Sequence, residues 1–249
     1  MIIDVHAHLD FDEYKKDIDK VIKKNVEENV KAVICNGVNP KANRRILSLS
    51  KKYYLLKSAL GYYPSECDQI TRQEFNKELE FIKKNKDNII AVGEVGLDKK
   101  YVHNFEKQKE FFEEFIDLSS EINKPIIVHS RKAELEAIDI LERKKANKVV
   151  MHCFSGKKKL VKRIIENKWF LSIPANVVRN QQFQENVNIC PLKQLLTETD
   201  SPFLSHNPKV SRNEPRFIAN SLKKIAEIKC LDVKELENII FANYQRLFL

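Results

Sequence analysis

Six side chains of this 249-residue sequence could bind a divalent cation and use it: His6, His8, Glu94, His129, His152 and Asp200. His6 and His8 stand two apart in the run MIIDVHAHLD. Residues two apart on an extended strand point to the same side, so both imidazoles can reach one ion. The set offers nitrogen and oxygen and no thiolate, which suits Zn²⁺, Mn²⁺ or Mg²⁺ rather than a cysteine-type structural zinc site. Six ligands suffice for two ions about 4 Å apart, bridged by Glu94 and a water. Such a pair lowers the pKa of a bound water toward about 7 and polarises a phosphoryl or carbonyl oxygen. Asp200 could ligate one ion and take the proton of the attacking water. Metal-assisted hydrolysis is the reaction class that follows. Singly, each residue has a duller explanation: a hydrogen-bonded histidine at a strand end, a buried ion-pair partner in Glu94, a turn cap in Asp200 before Ser201-Pro202. Together they would be a costly cluster of desolvated polar groups unless a cation gathers them.

A scaffold must bring these distant residues to one place. Apolar runs recur at 1–6 (MIIDVH), 31–36 (KAVICN), 55–61 (LLKSALG), 89–95 (IIAVGEV), 125–130 (PIIVHS), 148–153 (KVVMHC), 169–173 (WFLSI) and 194–200 (QLLTETD). Most are continuous Val/Ile/Leu rather than alternating, as parallel strands covered on both faces require. Helical spacing fills the gaps. In 105–122, Phe105, Phe111, Phe112, Phe115, Ile116 and Ile122 recur at threes and fours, and Pro125 ends that helix. The seventh helical stretch, 178–189, is weak and polar, and the last unit is doubled, at 214–229 and 232–243. Eight strand–helix units in this length predict a single-domain α/β fold, a (β/α)₈ barrel over 1–249. The runner-up, a doubly wound sheet, lacks a Gly-rich turn after its first strand. A barrel carries its chemistry at the C-terminal strand ends. There stand His6 and His8 (first run), Glu94 (fourth), His129 (fifth), His152 (sixth) and Asp200 (eighth), with His103 and His206 left in loops of the same face.

Composition narrows the rest. An apolar fraction of 43% supports a sizeable core, and five Gly with eight Pro exclude collagen-like or disordered chains. Lys and Arg total 44 against 35 acidic residues, a net charge of +9, compatible with phosphate-bearing partners. Five widely spaced cysteines without a CxxC pair are expected to be reduced, buried thiols of a cytoplasmic protein. No signal peptide is expected at the N-terminus and no membrane span elsewhere. A monomer is expected, since no helix shows a surplus apolar face.

Basic residues on the predicted chemical face bear on the substrate: Lys99 and Lys100 after Glu94, Arg131 and Lys132 after His129, Lys157–Lys159 after His152, and Arg179 and Arg212 in the last loops. Arg131, two residues past a candidate ligand, is the strongest phosphate contact; Lys157–Lys159 read as a solvated helix start. Tyr62, Tyr63, Tyr101, Phe154 and Phe203 could stack on bases or simply pack.

Five motifs in order, with Arg212-Asn213-Glu214-Pro215 and the closing NYQRLF, resemble the TatD-related metal-dependent hydrolases of the amidohydrolase superfamily over almost the full length. They are Asp4–Asp10 (DVHAHLD), Gly93–Asp98 (GEVGLD), Pro125–Arg131 (PIIVHSR), His152–Gly156 (HCFSG) and Glu198–Pro202 (ETDSP). The resemblance implies a distorted TIM barrel and a binuclear site ligated by His6, His8, Glu94, His129, His152 and Asp200, with Glu94 bridging. It implies Mg²⁺- or Mn²⁺-dependent phosphodiester hydrolysis, DNA ahead of RNA, exonucleolytic from the three-prime end. Arg131 and the loops after the sixth and seventh strands would then hold the phosphate. Two places depart from the pattern. Gly61-Tyr62-Tyr63-Pro64 stands where the family has Gly-x-His-Pro, and Ile173-Pro174-Ala175 where Gly and Ser are usual. A phenol of pKa about 10 cannot replace imidazole as a base near neutral pH, but Tyr63 can donate a hydrogen bond to a phosphate oxygen. That departure keeps a second enzymatic reading open, hydrolysis of another bond such as the ester of aminoacyl-tRNA; a third class, a non-catalytic barrel that binds metal or nucleic acid, is opposed by the full ligand set.

Overall fold

The computed structural model describes residues 1–249. Eight strands follow the apolar runs: β1 (Ile2–Ala7), β2 (Val30–Asn36), β3 (Leu56–Leu60), β4 (Ala91–Asp98), β5 (Ile126–Arg131), β6 (Val149–His152), β7 (Phe170–Ile173) and β8 (Leu195–Thr197). Each pairs in parallel with the next, in the order β1 to β8. Ten helices cover the sheet: α1 (Ile18–Glu27), α2 (Pro40–Lys52), α3 (Pro64–Cys67), α4 (Arg72–Lys84), α5 (Phe105–Glu121), α6 (Glu134–Arg143), α7 (Lys158–Glu166), α8 (Gln181–Ile189), α9 (Ile218–Lys229) and α10 (Val233–Phe248). β1, β6 and β7 are buried along their whole length, which explains why their runs are continuous rather than alternating. The expected (β/α)₈ barrel is the fold.

The barrel closes loosely. Between β8 and β1, Thr197 Oγ1 donates to the Ile3 carbonyl at 2.6 Å, and a single parallel bridge joins Ala7 to Ser201. The eighth strand was expected to run to Asp200, but it stops at Thr197. Beyond it the chain folds across the barrel end: the Asp200 N–H donates to the His6 carbonyl at 2.8 Å, and Asp200 adopts φ +52°. β4 runs three residues past its expected end, to Asp98. The weak seventh helical stretch becomes a short 3₁₀ turn (Ala175–Val178) and α8, separated where Asn180 caps α8 by accepting from the Gln182 and Phe183 N–H groups. All five cysteines are free; Cys35, Cys67 and Cys190 are buried as expected, whereas Cys153 is half-buried and Cys230 exposed.

The core outside the barrel depends on the aromatic face of α5. Phe111 stacks on Phe75 of α4 with centroids 3.7 Å apart, and Phe115 meets Phe75 edge-on at 5.3 Å. All three are buried. Phe111→Ala is expected to destabilise the fold by about 3–5 kcal/mol, from lost transfer energy plus a cavity, measured by urea denaturation. A loss below about 1 kcal/mol would mean that the α4–α5 layer does not pack as described.

Candidate metal centre

Every expected ligand reaches one place at the C-terminal end of the barrel. Asp4 anchors it from beneath: Oδ1 accepts from the backbone N–H groups of His6 and Thr199, both at 3.1 Å, and Oδ2 from the Thr199 hydroxyl at 2.5 Å. That ties the end of β1 to the segment carrying Asp200.

The six side chains form two groups that meet at Glu94. In the first, His6 Nε2 lies 3.3 Å from Glu94 Oε2, 3.2 Å from His8 Nε2 and 3.6 Å from Asp200 Oδ1. His8 Nε2 is 3.5 Å from Glu94 Oε2 and 3.4 Å from Asp200 Oδ1. In the second, the other Glu94 oxygen, Oε1, lies 2.9 Å from His129 Nδ1 and 3.2 Å from His152 Nε2. One carboxylate thus presents each of its oxygens to a different pair of imidazoles. Burial works against the charge on Glu94, yet His6 and His152 hold its carboxyl well below the usual range.

The far side of each ring shows which nitrogen is free to ligate. His8 Nδ1 is 3.0 Å from the Asn36 carbonyl, which can only accept, so Nδ1 carries a hydrogen and Nε2 is the nitrogen left to ligate once it loses its proton. His129 is reversed: Nε2 lies 3.1 Å from Asp98 Oδ2, leaving Nδ1 facing Glu94. His152 Nδ1 is 3.3 Å from Glu198 Oε1, and the Ser172 hydroxyl donates to the second Glu198 oxygen. Lone pairs converging with carboxylate oxygens at 2.9–3.6 Å, in a site holding the fully buried His6, are a donor set that fits divalent cations.

Asp98, Glu198 and Asn36 support the ligands and were not singled out as candidates from the sequence. The signal was available: Asp98 lies four residues after Glu94 on one strand, and Glu198 two before Asp200. Metal-binding histidines usually donate their second nitrogen to a carboxylate or carbonyl, so acidic residues at even spacing from a ligand are the place to look. Asp98→Asn is expected to weaken ion binding about 10- to 100-fold, because an amide can offer Nε2 of His129 a hydrogen instead of accepting one. Calorimetric metal titration checks it; unchanged affinity would show that Asp98 does not orient His129.

Tyr63 caps the same corner. Its hydroxyl lies 2.7 Å from Asp98 Oδ2 and 3.2 Å from His129 Nε2. Burial, then the charges of Glu94 and Asp98, push the phenol up, so it stays protonated and donates to Asp98. The hydrogen bond expected to reach a phosphate oxygen is therefore directed at Asp98.

Above the ligands lies a cavity of about 500 Å³ whose walls include Phe11, Tyr63, Tyr101, Arg131 and Phe203. Arg131 stands on this wall. Lys99 and Arg179 were expected to contact substrate, but neither lines the cavity: Lys99 pairs with Glu136, and Arg179 Nη2 donates to the Ser205 carbonyl at 3.3 Å. Arg212 is spent on structure, gripping Asp17 at 2.7 and 2.8 Å. His103 and His206 stay outside the cluster; the His206 ring packs 4.8 Å from Phe217. A wider groove of about 860 Å³ beside α4 holds Arg44 and Arg72 and no metal-binding group.

A family model described as TatD related DNase matches residues 3–249. An uncharacterized metal-dependent hydrolase of Methanocaldococcus jannaschii is 34% identical over 99% of this chain and 96% of its own. Deoxyribonuclease TATDN3 of Homo sapiens is 32% identical over 99% of this chain and 94% of its own. Among solved structures, the TatD homolog YJJV of Escherichia coli superposes with a TM-score of 0.91 at 24% identity, covering 99% of this chain and 97% of that one, a likeness of fold.

Proposed function

The chain belongs to the TatD-related DNase family of metal-dependent hydrolases, and from that premise we propose that it cleaves phosphodiester bonds of nucleic acid, DNA foremost, with two divalent ions (Mg²⁺, Mn²⁺ or Zn²⁺). The observation that carries this reading is Glu94: its two oxygens face two histidine groups at the floor of a cavity with an arginine on its wall. Divalent ions held between those groups would polarise a phosphoryl oxygen and acidify a water.

The chain's own residues do the rest. His6, His8 and Asp200 would hold one ion, and His129 and His152 the other, with Glu94 able to serve both. Asp200 is the more exposed of the two carboxylates, with 18% of its side chain accessible against 4% for Glu94, and takes the proton from the attacking water. Arg131 holds a non-bridging oxygen of the scissile phosphate as a bidentate donor. The cavity suits a ligand of about one nucleotide, which supports cleavage at a chain end.

One observation favours a second reading. Tyr63 supplies no titrating imidazole where the family pattern has one, which keeps hydrolysis of a more reactive ester, such as that of aminoacyl-tRNA, in play. End-labelled single-stranded DNA and a charged tRNA, each with Mg²⁺, with Mn²⁺ and with EDTA, separate the readings. Ion-dependent shortening of the DNA is expected. Deacylation without shortening would replace the nuclease reading by the ester one, and stoichiometric ion binding with turnover of neither would leave a non-catalytic barrel.

A further inference from the structure

We propose that Phe203 and Phe11 form a stacking wall for the nucleobase next to the cleaved bond, an inference that rests on the nucleic-acid reading above. Phe203 is 52% exposed and Tyr101 50%, at the mouth of a cavity whose floor is carboxylate and imidazole. A lone exposed ring needs no explanation, but Phe203 meets Phe11 on the same cavity wall, and an apolar cluster exposed beside charged groups points to a ligand.

The wall is fixed to the metal centre. The Phe203 N–H donates to the Asp200 carbonyl at 2.8 Å, and its carbonyl accepts from Asn213 Nδ2 at 2.8 Å, so its ring position follows the ligand segment. Phe11 lies face to face on His8, with centroids 4.8 Å apart and planes at 20°, and meets Phe203 nearly edge-on at 6.1 Å and 74°. The two rings make a corner. Elsewhere on the cavity wall, the Arg131 guanidinium sits 5.4 Å from the Tyr101 ring. A ligand that matches both features needs a flat π-system for the corner and an anion for the arginine, which describes a nucleotide. Phenylalanine carries no hydrogen-bonding group, so the corner accepts any base by its face and confers no sequence preference. Stacking on one aromatic of this kind changes affinity by about 5- to 150-fold.

The test compares metal-loaded wild type with Phe203→Leu and Phe203→Trp. The substrates are two oligonucleotides differing only in whether the terminal nucleotide carries a base or is abasic, and kcat/KM is measured for each. Wild type is expected to prefer the base-bearing end by at least about fivefold. Leucine keeps the apolar bulk but lacks a π-face, so Phe203→Leu should bring the ratio toward one; Phe203→Trp should keep it. Changing the identity of the terminal base should move the wild-type rate little. Equal cleavage of both oligonucleotides by wild type, or a ratio as large in Phe203→Leu as in wild type, overturns the stacking wall alone. Cleavage of neither by metal-loaded wild type overturns the nuclease reading and the wall with it.

Discussion

Glu94→Gln is expected to lower hydrolysis by about a thousandfold, the upper end of what a single preorganised electrostatic group contributes. The reason is the sharing seen at this residue: Oε2 faces His6 and His8, and Oε1 faces His129 and His152. An amide keeps the shape but offers one oxygen and one NH₂. Whichever way it turns, a nitrogen that cannot ligate faces one histidine pair, and the negative charge common to both groups is gone. The variant should fold, because glutamine keeps the size and shape of glutamate. Far-UV circular dichroism, bound-metal analysis and kcat/KM on the same preparation check the prediction together. A folded variant retaining a tenth of wild-type activity would show that Glu94 is not shared between two working ions.

That prediction could be framed from the sequence, because a parallel barrel turns linear positions into spatial ones. Apolar runs locate the strands, and polar residues at their C-terminal ends share one face whatever their separation in the chain. His6, His8, Glu94, His129 and His152 were legible for that reason. Asp200 was legible as a residue but not by its position: β8 ends at Thr197, and the turn that delivers the side chain depends on Asp4 and His6 from the other end of the sequence. Asp98 and Glu198 were missed because each acts through a histidine: their even spacing from Glu94 and Asp200 sets them near the site, but which ring nitrogen each carboxylate meets shows only once the strands are placed. The basic residues were the least legible. Lys99 and Arg179 carry the right charge on the right face, but a long side chain goes to its nearest partner, here Glu136 and the Ser205 carbonyl, and sequence spacing does not encode that choice. Tyr63 shows the same limit: its type excluded a base, while its hydrogen-bond partner became visible only when β3 and β4 were placed side by side.

Removing the ions should cost the protein stability as well as activity, and the order in which they return should reveal the two groups. An ion at a thousandfold over its Kd stabilises the folded state by about 4 kcal/mol, and two independent sites by roughly twice that. At this chain length about 1 kcal/mol moves Tm by roughly 2–4 °C, so EDTA treatment should lower Tm by about 10 °C or more and Mn²⁺ or Zn²⁺ should restore it. The pH dependence has a definite sign. Burial disfavours charge on His8, but Asp200 and Glu94 overcome it and push its pKa up from 6.5 to about 9. In the ion-free protein that raised value stabilises the fold fully below the ordinary value of 6.5, and the contribution is lost as pH rises through about 9. Ions reverse the trend, since they must displace the proton: their apparent affinity should rise up to about pH 9 and fall by as much as about tenfold per unit below it for each proton released. Calorimetric titration of the apoprotein should resolve two binding steps, with Asp98→Asn weakening the one that uses His129 and Glu94→Gln weakening both. A single step unaffected by Asp98→Asn, with a Tm insensitive to EDTA, would reduce the centre to one ion held by His6, His8 and Asp200 and remove Glu94 from its place between two.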